Sequence, residues 1–472
     1  MPELGMNAEL LTIETIILLP VLGLLLISQL ARAKMGVGFH NRSNTYFLMS
    51  LGSFAVISGF FISQLWNLSP LLCFELAASI VLALMNPMNA LCLFVAFLML
   101  RPWELIQGYP ILLVLPRAFA ALWLIARIAE ALRLRQFSLK FNRETWLLLA
   151  YGTWVFISTF WTPSPADTQA EWFDNFSRAI MLFMMCVLTI RRKSDVRDLK
   201  STIVLGVLGM AIIGFYQFLS TPASLHVDDR LRSIGLLEDP NDFAAITVLA
   251  LPLAAAPFFR RQSGMFLKFI GAIFSLLSFA AVWYSRSRGA LLAFIMTIGV
   301  RFVIGMKNNR VVAVVAITIL YLSYTALLTT FDRNAEDMET SSSARITYWK
   351  AGAKMTMKNP LLGVGFMQYP YQYENYSPTL EFEWGLRTAH SSWVLAFAET
   401  GLTGGILFTL LFFSTAQVAW RAREEEPELF YSLVGYGTAM FFLSHTYLIY
   451  PYLLFGLISA QGSIQRNALK PV

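Results

Sequence analysis

The stretch "SSWVLAFAETGLTGGILFTLLFFSTAQVAW", residues 391–420, carries a single ionisable side chain, Glu399. As a helix it would run roughly 45 Å, longer than the ~30 Å hydrocarbon core of a bilayer. A bilayer interior offers the backbone no water, so a lone apolar run crosses it as a helix. Working outward, the same signature recurs at roughly 10–30, 45–65, 70–86, 88–100, 110–132, 145–162, 175–190, 199–219, 242–259, 266–284, 289–305, 311–330 and 429–447, with a shorter apolar piece at 451–463. The expected fold is all-α: a polytopic transmembrane helical bundle of about 12–14 spans. With 57% hydrophobic and 14% charged residues the chain is no soluble enzyme, and its +7 net charge needs no nucleic-acid partner.

Orientation follows from the basic loops. "ARAKMGVGFHNR", "RLRQFSLKFNR", "RRKSDVRDLK", "RRQSGMFLK" and "MKNNR" fall on one side when the spans alternate, and "WTPSPADTQAEWFD" falls on the other. Cytoplasmic loops carry the Lys/Arg excess, so the first group is expected in the cytoplasm, against anionic membrane lipids. The first apolar block follows Glu3 and Glu9 rather than basic residues, so no cleavable signal peptide is expected. Cys73, Cys92 and Cys186 sit inside apolar spans and suggest no disulfide framework.

Residues 331–390 break the pattern of short connections and, by this topology, face away from the cytoplasm; long loops of this kind usually carry function. Within them "SSSARITYWKAGAKMTMKNP" opens with capping serines and closes on Asn-Pro. Ile346, Trp349 and Ala353 recur at helical spacing, which predicts a short amphipathic helix lying on the membrane or on other helices.

Arg230, Arg232, Arg286, Arg288, Arg345 and Arg387 all fall on the outer side, where topology gives no reason for cations. Each could snorkel or pair with Asp228, Asp229 or Glu238; as a set they suggest an anion site. Arg345 would occupy the first turn of the loop helix, the end where the helix dipole disfavours a cation. In "SRSRGALLAF" (285–294), Arg286 and Arg288 would project about 200° apart on a helix, so at most one enters a given pocket. Asp239, before Pro240, reads first as a helix N-cap. There is no Asp-x-Asp pair and no zinc spacing, so no metal or other cofactor is expected.

Of four histidines, His390 begins an apolar helix, where the dipole disfavours its charged form and leaves a neutral imidazole able to act as a base. A lone histidine is more often structural. Glu399 lies about 180° around the helix from it and roughly 13.5 Å deeper, so it is not an orienting partner and more naturally satisfies neighbouring helices near Gly401, Gly404 and Gly405.

The ordered set "RSIGLLEDPNDFA" (232–244), "SRSRGALLAF", "ARITYWKAGAKMTMKNPLLGVGFMQY" (344–369) and "AHSSWVLAFAETGLTGG" (389–405) resembles the O-antigen ligase and polymerase family of bacterial envelope enzymes. The resemblance covers roughly residues 200–460. It implies a multi-pass inner-membrane glycosyltransferase with its site on the periplasmic side, taking a glycan from undecaprenyl pyrophosphate to a lipid A core sugar or a growing polysaccharide. It also implies that Arg232, Arg288 and Arg345 hold the pyrophosphate, with Arg286 and Arg387 as secondary candidates, and that His390 is the catalytic base. The family pattern often has Asn after the histidine, where this chain has Ser391. On this division, residues 1–200 are N-terminal transmembrane helices, 201–330 transmembrane helices bearing arginine motifs, 331–390 a large periplasmic loop and 391–472 C-terminal transmembrane helices. Ligase and polymerase are not separated by these motifs, and a lipid-linked glycan transporter is the alternative from another class, although no internal repeat favours it.

Overall fold

The computed structural model describes residues 70–101, 111–135, 141–220, 230–233, 239–260, 263–304, 335–377 and 388–468, with isolated positions 314 and 318. Among them there is no strand. The fold is that of an all-α membrane protein. Among the described residues, three helices, Lys193–Leu219, Pro240–Phe259 and Ser392–Ala422, are long and apolar enough to cross a membrane, and Leu76–Met85, Pro87–Leu100 and Lys268–Tyr284 are shorter apolar helices. The expected spans at 10–30, 45–65 and 311–330 lie outside the described residues, apart from two positions in the last.

Contacts divide the chain into two compact units, the first falling within Met1–Leu139, Thr189–Pro222 and Ser233–Leu236. It contains α1 (Pro70–Met85), α2 (Pro87–Leu100), α3 (Ile111–Leu134) and α7 (Lys193–Ser220). Asn86 caps α2 by accepting the Met88 N–H at 2.9 Å, and Pro87 takes the first helical position, where no amide hydrogen is needed. Gly206 and Gly209 let α7 approach α2 closely: a Cβ on either would meet Met99 or Leu100 within 2.7 Å.

The second unit carries all the described site candidates. Its helices are α4 (Arg143–Ser158), α5 (Pro165–Glu171), α6 (Ser177–Thr189), α8 (Pro240–Phe259), α9 (Met265–Tyr284), α10 (Arg288–Val303), α11 (Ala335–Lys358), α12 (Tyr369–Tyr376), α13 (Ser392–Ala422), α14 (Pro427–Met440) and α15 (Ile449–Ala468). Thr189, the last residue of α6, falls in the first unit. The expected shorter piece at 451–463 is the full helix α15. Conversely, the span expected at 429–447 stops as a helix at Met440: Phe441 and Phe442 bond back to Thr438 and Ala439, and the His445 N–H turns away to Ser392.

Two sequence expectations are corrected here. The loop helix α11 begins at Ala335, so Arg345 lies well inside it rather than in its first turn, and the dipole argument for that residue falls. The helix lies on other helices, as one alternative expected, but its buried stripe is shifted: Tyr348, Ala351 and Met355 are buried and Gly352 lies against Val394 and Tyr369, whereas of the expected stripe Ile346 and Ala353 are exposed and Trp349 is half-buried.

Helix α13 is broken at Gly401, which has φ 66° and ψ −169°. The break strips three carbonyls of their helical partners, and other parts of the unit supply replacements. Val364 N–H donates to the Ala398 carbonyl and Gly365 N–H to that of Glu399, both at 2.9 Å. The Trp154 indole donates to the Thr400 carbonyl at 2.9 Å. In return, the Leu402 N–H reaches the Pro360 carbonyl at 2.7 Å. The Glu399 side chain joins the same dock, accepting the Tyr369 N–H at 2.9 Å. Glu399 therefore holds the "LLGVGF" turn in place, as a residue serving neighbouring elements would.

Candidate functional site

Two arginine-bearing segments, far apart in sequence, are tied to each other. Leu231 N–H donates to the Tyr284 carbonyl at 2.9 Å, and Arg230 Nε donates to that of Ser285 at 2.8 Å. Arg230 also donates through Nη2 to Asn241 Oδ1 at 2.9 Å, at the start of α8. Arg232 thus sits beside the 284–288 turn. Asp239 caps α8 by accepting the Asn241 N–H at 2.7 Å, with Pro240 first in the helix, as its position predicts.

Within the turn the two later arginines differ. Arg286 is exposed and lies in the left-handed region, at φ 50°, outside any helix. Ser287 caps α10 and Arg288 is its first residue, half-buried. The expected 200° separation on one helix does not apply, because a turn separates the two.

His390 occupies the position before the N-cap of α13: Ser391 caps the helix and His390 is at φ 45°. A left-handed non-glycine residue costs about 1 kcal/mol, and such strain gathers where function needs it. The imidazole stacks on Tyr348, with ring centroids 5.6 Å apart and planes at 29°. Arg345 is one turn before Tyr348, so it shares the helix side that meets His390. Tyr348 is itself fixed, since Tyr369 donates its hydroxyl to the Tyr348 carbonyl at 2.6 Å. Burial, with Tyr373, Tyr348 and Glu399 nearby, pushes the Tyr369 hydroxyl well above the usual phenol range and keeps it a donor. Arg387 lies outside the described residues.

The segment 441–446, which in the sequence reads as part of a span, joins these pieces. Phe441 meets Trp349 of α11 edge-on at 5.7 Å. Phe442 abuts Gly289, next to Arg288, where an added Cβ would lie 3.3 Å from the phenylalanine Cβ. Ser392 Oγ donates to the Leu443 carbonyl at 2.7 Å and accepts the His445 N–H at 2.9 Å, while Thr446 Oγ1 donates to the Ser392 carbonyl at 2.7 Å. Gly289, Trp349 and Ser392, which neighbour Arg288, Arg345 and His390 along their own elements, therefore all meet one short connection. His445 alone could have drawn notice, as a histidine near the end of a span, but its partners are too remote in sequence to be read from it.

A family model described as O-antigen ligase matches residues 273–409, from α9 to just past the break in α13. That stretch holds Arg286, Arg288, Arg345, Arg387 and His390, and leaves Arg232 outside it. The Exopolysaccharide production protein ExoQ of Rhizobium meliloti (strain 1021) is 23% identical over 287 residues, 56% of this chain. The aligned region spans 62% of that relative's length, less than two thirds of it. Together these findings support the O-antigen ligase and polymerase family. The chain is thus similar to an O-antigen ligase/polymerase-like membrane enzyme, and the family match falls on the elements that surround His390.

Proposed function

We propose that this chain is a multi-pass inner-membrane glycosyltransferase, its site facing the periplasm, that transfers a glycan from undecaprenyl pyrophosphate to an acceptor hydroxyl. The observation that carries the reading is the convergence of the Arg288 turn, the Arg345 helix and His390 on the 441–446 connection. A lipid pyrophosphate leaves readily once its developing charge is met, which arginines at Arg232, Arg288 and Arg345, with Arg286 and Arg387 in support, would do. His390 would take the proton of the acceptor hydroxyl. The freed oxygen attacks the anomeric carbon from the face opposite the pyrophosphate. That carbon's bond to the leaving oxygen breaks, its electron pair stays with the pyrophosphate, and the configuration inverts. The arginines do the work that a divalent cation would otherwise do, so the reaction is proposed to be metal-independent.

The acceptor is proposed to be a lipid A core sugar, as for an O-antigen ligase. A growing polysaccharide is the second reading, and the printed name of the relative, an exopolysaccharide production protein, favours it. A transporter would draw support from the broken helix α13, since unwound backbone in transporters often binds ions. Here the carbonyls of Ala398, Glu399 and Thr400 already accept protein donors, which supports a structural break.

The test is transfer from purified lipid-linked glycan to lipid A core or to lipid-linked repeat, in detergent with EDTA. The expected result is activity in the wild-type protein that EDTA leaves intact and that His390→Ala lowers by about a hundredfold or more. Full activity in His390→Ala would remove the base assignment. No transfer by the wild type to either acceptor would remove the reading.

A further inference from the structure

Asp242 and His445 are hydrogen-bonded across the second unit. The Asp242 Oδ1 lies 2.8 Å from His445 Nε2, and His445 Nδ1 lies 2.7 Å from the Tyr436 hydroxyl. His445 is 1% exposed and Tyr436 fully buried, whereas the Asp242 side chain remains 23% exposed. With the ring neutral, Tyr436 donates into Nδ1 and Nε2–H donates to the carboxylate, a protonation assigned from partner chemistry. The chain of donors starts in the core and ends on the one member that reaches outward.

Position gives this chain its meaning. Asp242 adjoins Asn241, which holds Arg230 of the arginine-bearing segment. The His445 backbone is fastened to Ser392, two residues after His390. One buried imidazole therefore links the start of α8, beside the arginines, to the start of α13, beside the proposed base. A carboxylate one residue from the Asn241 that holds Arg230 repels a pyrophosphate, so its fitting partner is a group that donates a hydrogen bond. On the proposed reaction the group that must be brought to His390 is the acceptor sugar, whose hydroxyls are donors.

We infer that Asp242 binds a hydroxyl of the acceptor sugar and sets that sugar beside His390, with His445 and Tyr436 as the positioning residues that fix the Asp242 carboxylate. This rests on the glycosyltransferase reading above. The reacting hydroxyl's proton still goes to His390; Asp242 orients and takes no part in bond breaking. The competing account is that the three residues are a buried staple and nothing more. A staple would affect folding and turnover, with no preference for one substrate over the other.

The experiment measures KM separately for donor and acceptor, with undecaprenyl-pyrophosphate glycan extracted from native membranes as donor and lipid A core or lipid-linked repeat as acceptor. Asp242→Asn is expected to raise the acceptor KM about tenfold, the cost of one hydrogen bond to a charged group, and to leave the donor KM unchanged. His445→Phe, which removes the donor to Asp242, should behave alike. His445→Gln places an amide N–H near where Nε2 stood, and should recover most of what the phenylalanine variant loses. Where turnover is too slow to fit, equilibrium binding of the labelled acceptor gives the same comparison, and melting in detergent separates misfolding from binding. If His445→Phe fails to fold, Asp242→Asn and His445→Gln decide. An active wild type whose acceptor KM is unmoved by Asp242→Asn, or a fall in melting temperature and kcat alone, would overturn this inference and leave the glycosyltransferase reading standing. A wild type inactive with both acceptors would overturn the reading, and the inference with it.

Discussion

The rings of Tyr348 and His390 lie stacked, 5.6 Å apart between centroids, and join the loop helix to the start of α13. Tyr348 is buried, and its backbone carbonyl is held by Tyr369. The stack therefore presents a rigid face against which His390 takes its orientation, despite a backbone in the left-handed region. An aromatic contact of this kind contributes about 1 kcal/mol, so Tyr348→Ala should lower kcat per folded molecule about fivefold. Tyr348→Phe keeps the stacked ring and should lose less. Equal losses in the two variants would show that the hydroxyl, and not the stack, matters.

The break in α13 yields a prediction about stability. A Cβ on Gly401 would lie 2.5 Å from the Leu361 carbonyl oxygen, and the residue's φ of 66° disfavours any L side chain. Gly363, at φ 70°, faces it from the loop, with an added Cβ 2.5 Å from the Gly401 nitrogen. Strain and backbone overlap together should cost Gly401→Ala about 2–4 kcal/mol. Melting in detergent should fall by several degrees, with Gly363→Ala following the same direction. A melting temperature unchanged in Gly401→Ala would mean that the loop does not dock on the break.

How much of this was legible in the sequence depends on the distance over which a feature acts. The apolar runs and the cap Asp239-Pro240 are local signals, and most of the described helices start within a few residues of the expected positions. Arg345 reads as a first-turn residue because "AEDMETSSSA" shows no apolar stripe and its serines resemble a cap, although the segment is helical from Ala335. The glycines of α13 could be read as small, but a need for positive φ at Gly401 leaves no trace in composition. The Asp242 and His445 pair is separated by 203 residues, and no periodicity reports a contact across that span. The arginine-rich turn is visible as an excess of cations, while the 230–232 segment hydrogen-bonded to it is not.

Arg260 allows stability and catalysis to be separated. It ends α8 and donates through Nη2 to Glu426 Oε2 and Glu428 Oε1, each at 2.7 Å. The two carboxylates raise the guanidinium pKa, against the opposing effect of partial burial. Arg260 is itself 45% exposed, so its charge is well screened, but the Glu428 side chain is only 4% exposed. Removing the arginine leaves a buried carboxylate without that donor, a cost of about 1–3 kcal/mol. Arg260→Gln should lower the melting temperature and leave the donor and acceptor KM values unchanged, since its partners lie at the opposite end of α8 from Asp242. A selective change in either KM would place this pair in the site after all.

The arginines themselves should divide into one that builds the site and others that use it. Arg230 spends its planar fork on two protein acceptors, the Ser285 carbonyl and Asn241 Oδ1, so its role is to hold the 230–232 segment against the 284–288 turn. Arg288 opens α10 from that same turn and is proposed to meet the pyrophosphate. Arg288→Gln should therefore cost about a hundredfold in kcat/KM for the donor, as when one preorganised donor to a developing charge is lost. Arg230→Gln should cost about tenfold, the loss of a charge-assisted hydrogen bond. Because Arg230 acts by placing the others, the double variant should fall short of the product of the two losses. Inorganic pyrophosphate provides a second readout. It should compete with the donor in the wild-type protein and in Arg260→Gln, and lose most of its inhibition in Arg288→Gln. Full multiplication of the two losses, or unchanged inhibition in Arg288→Gln, would mean that the turn is not where the leaving group sits.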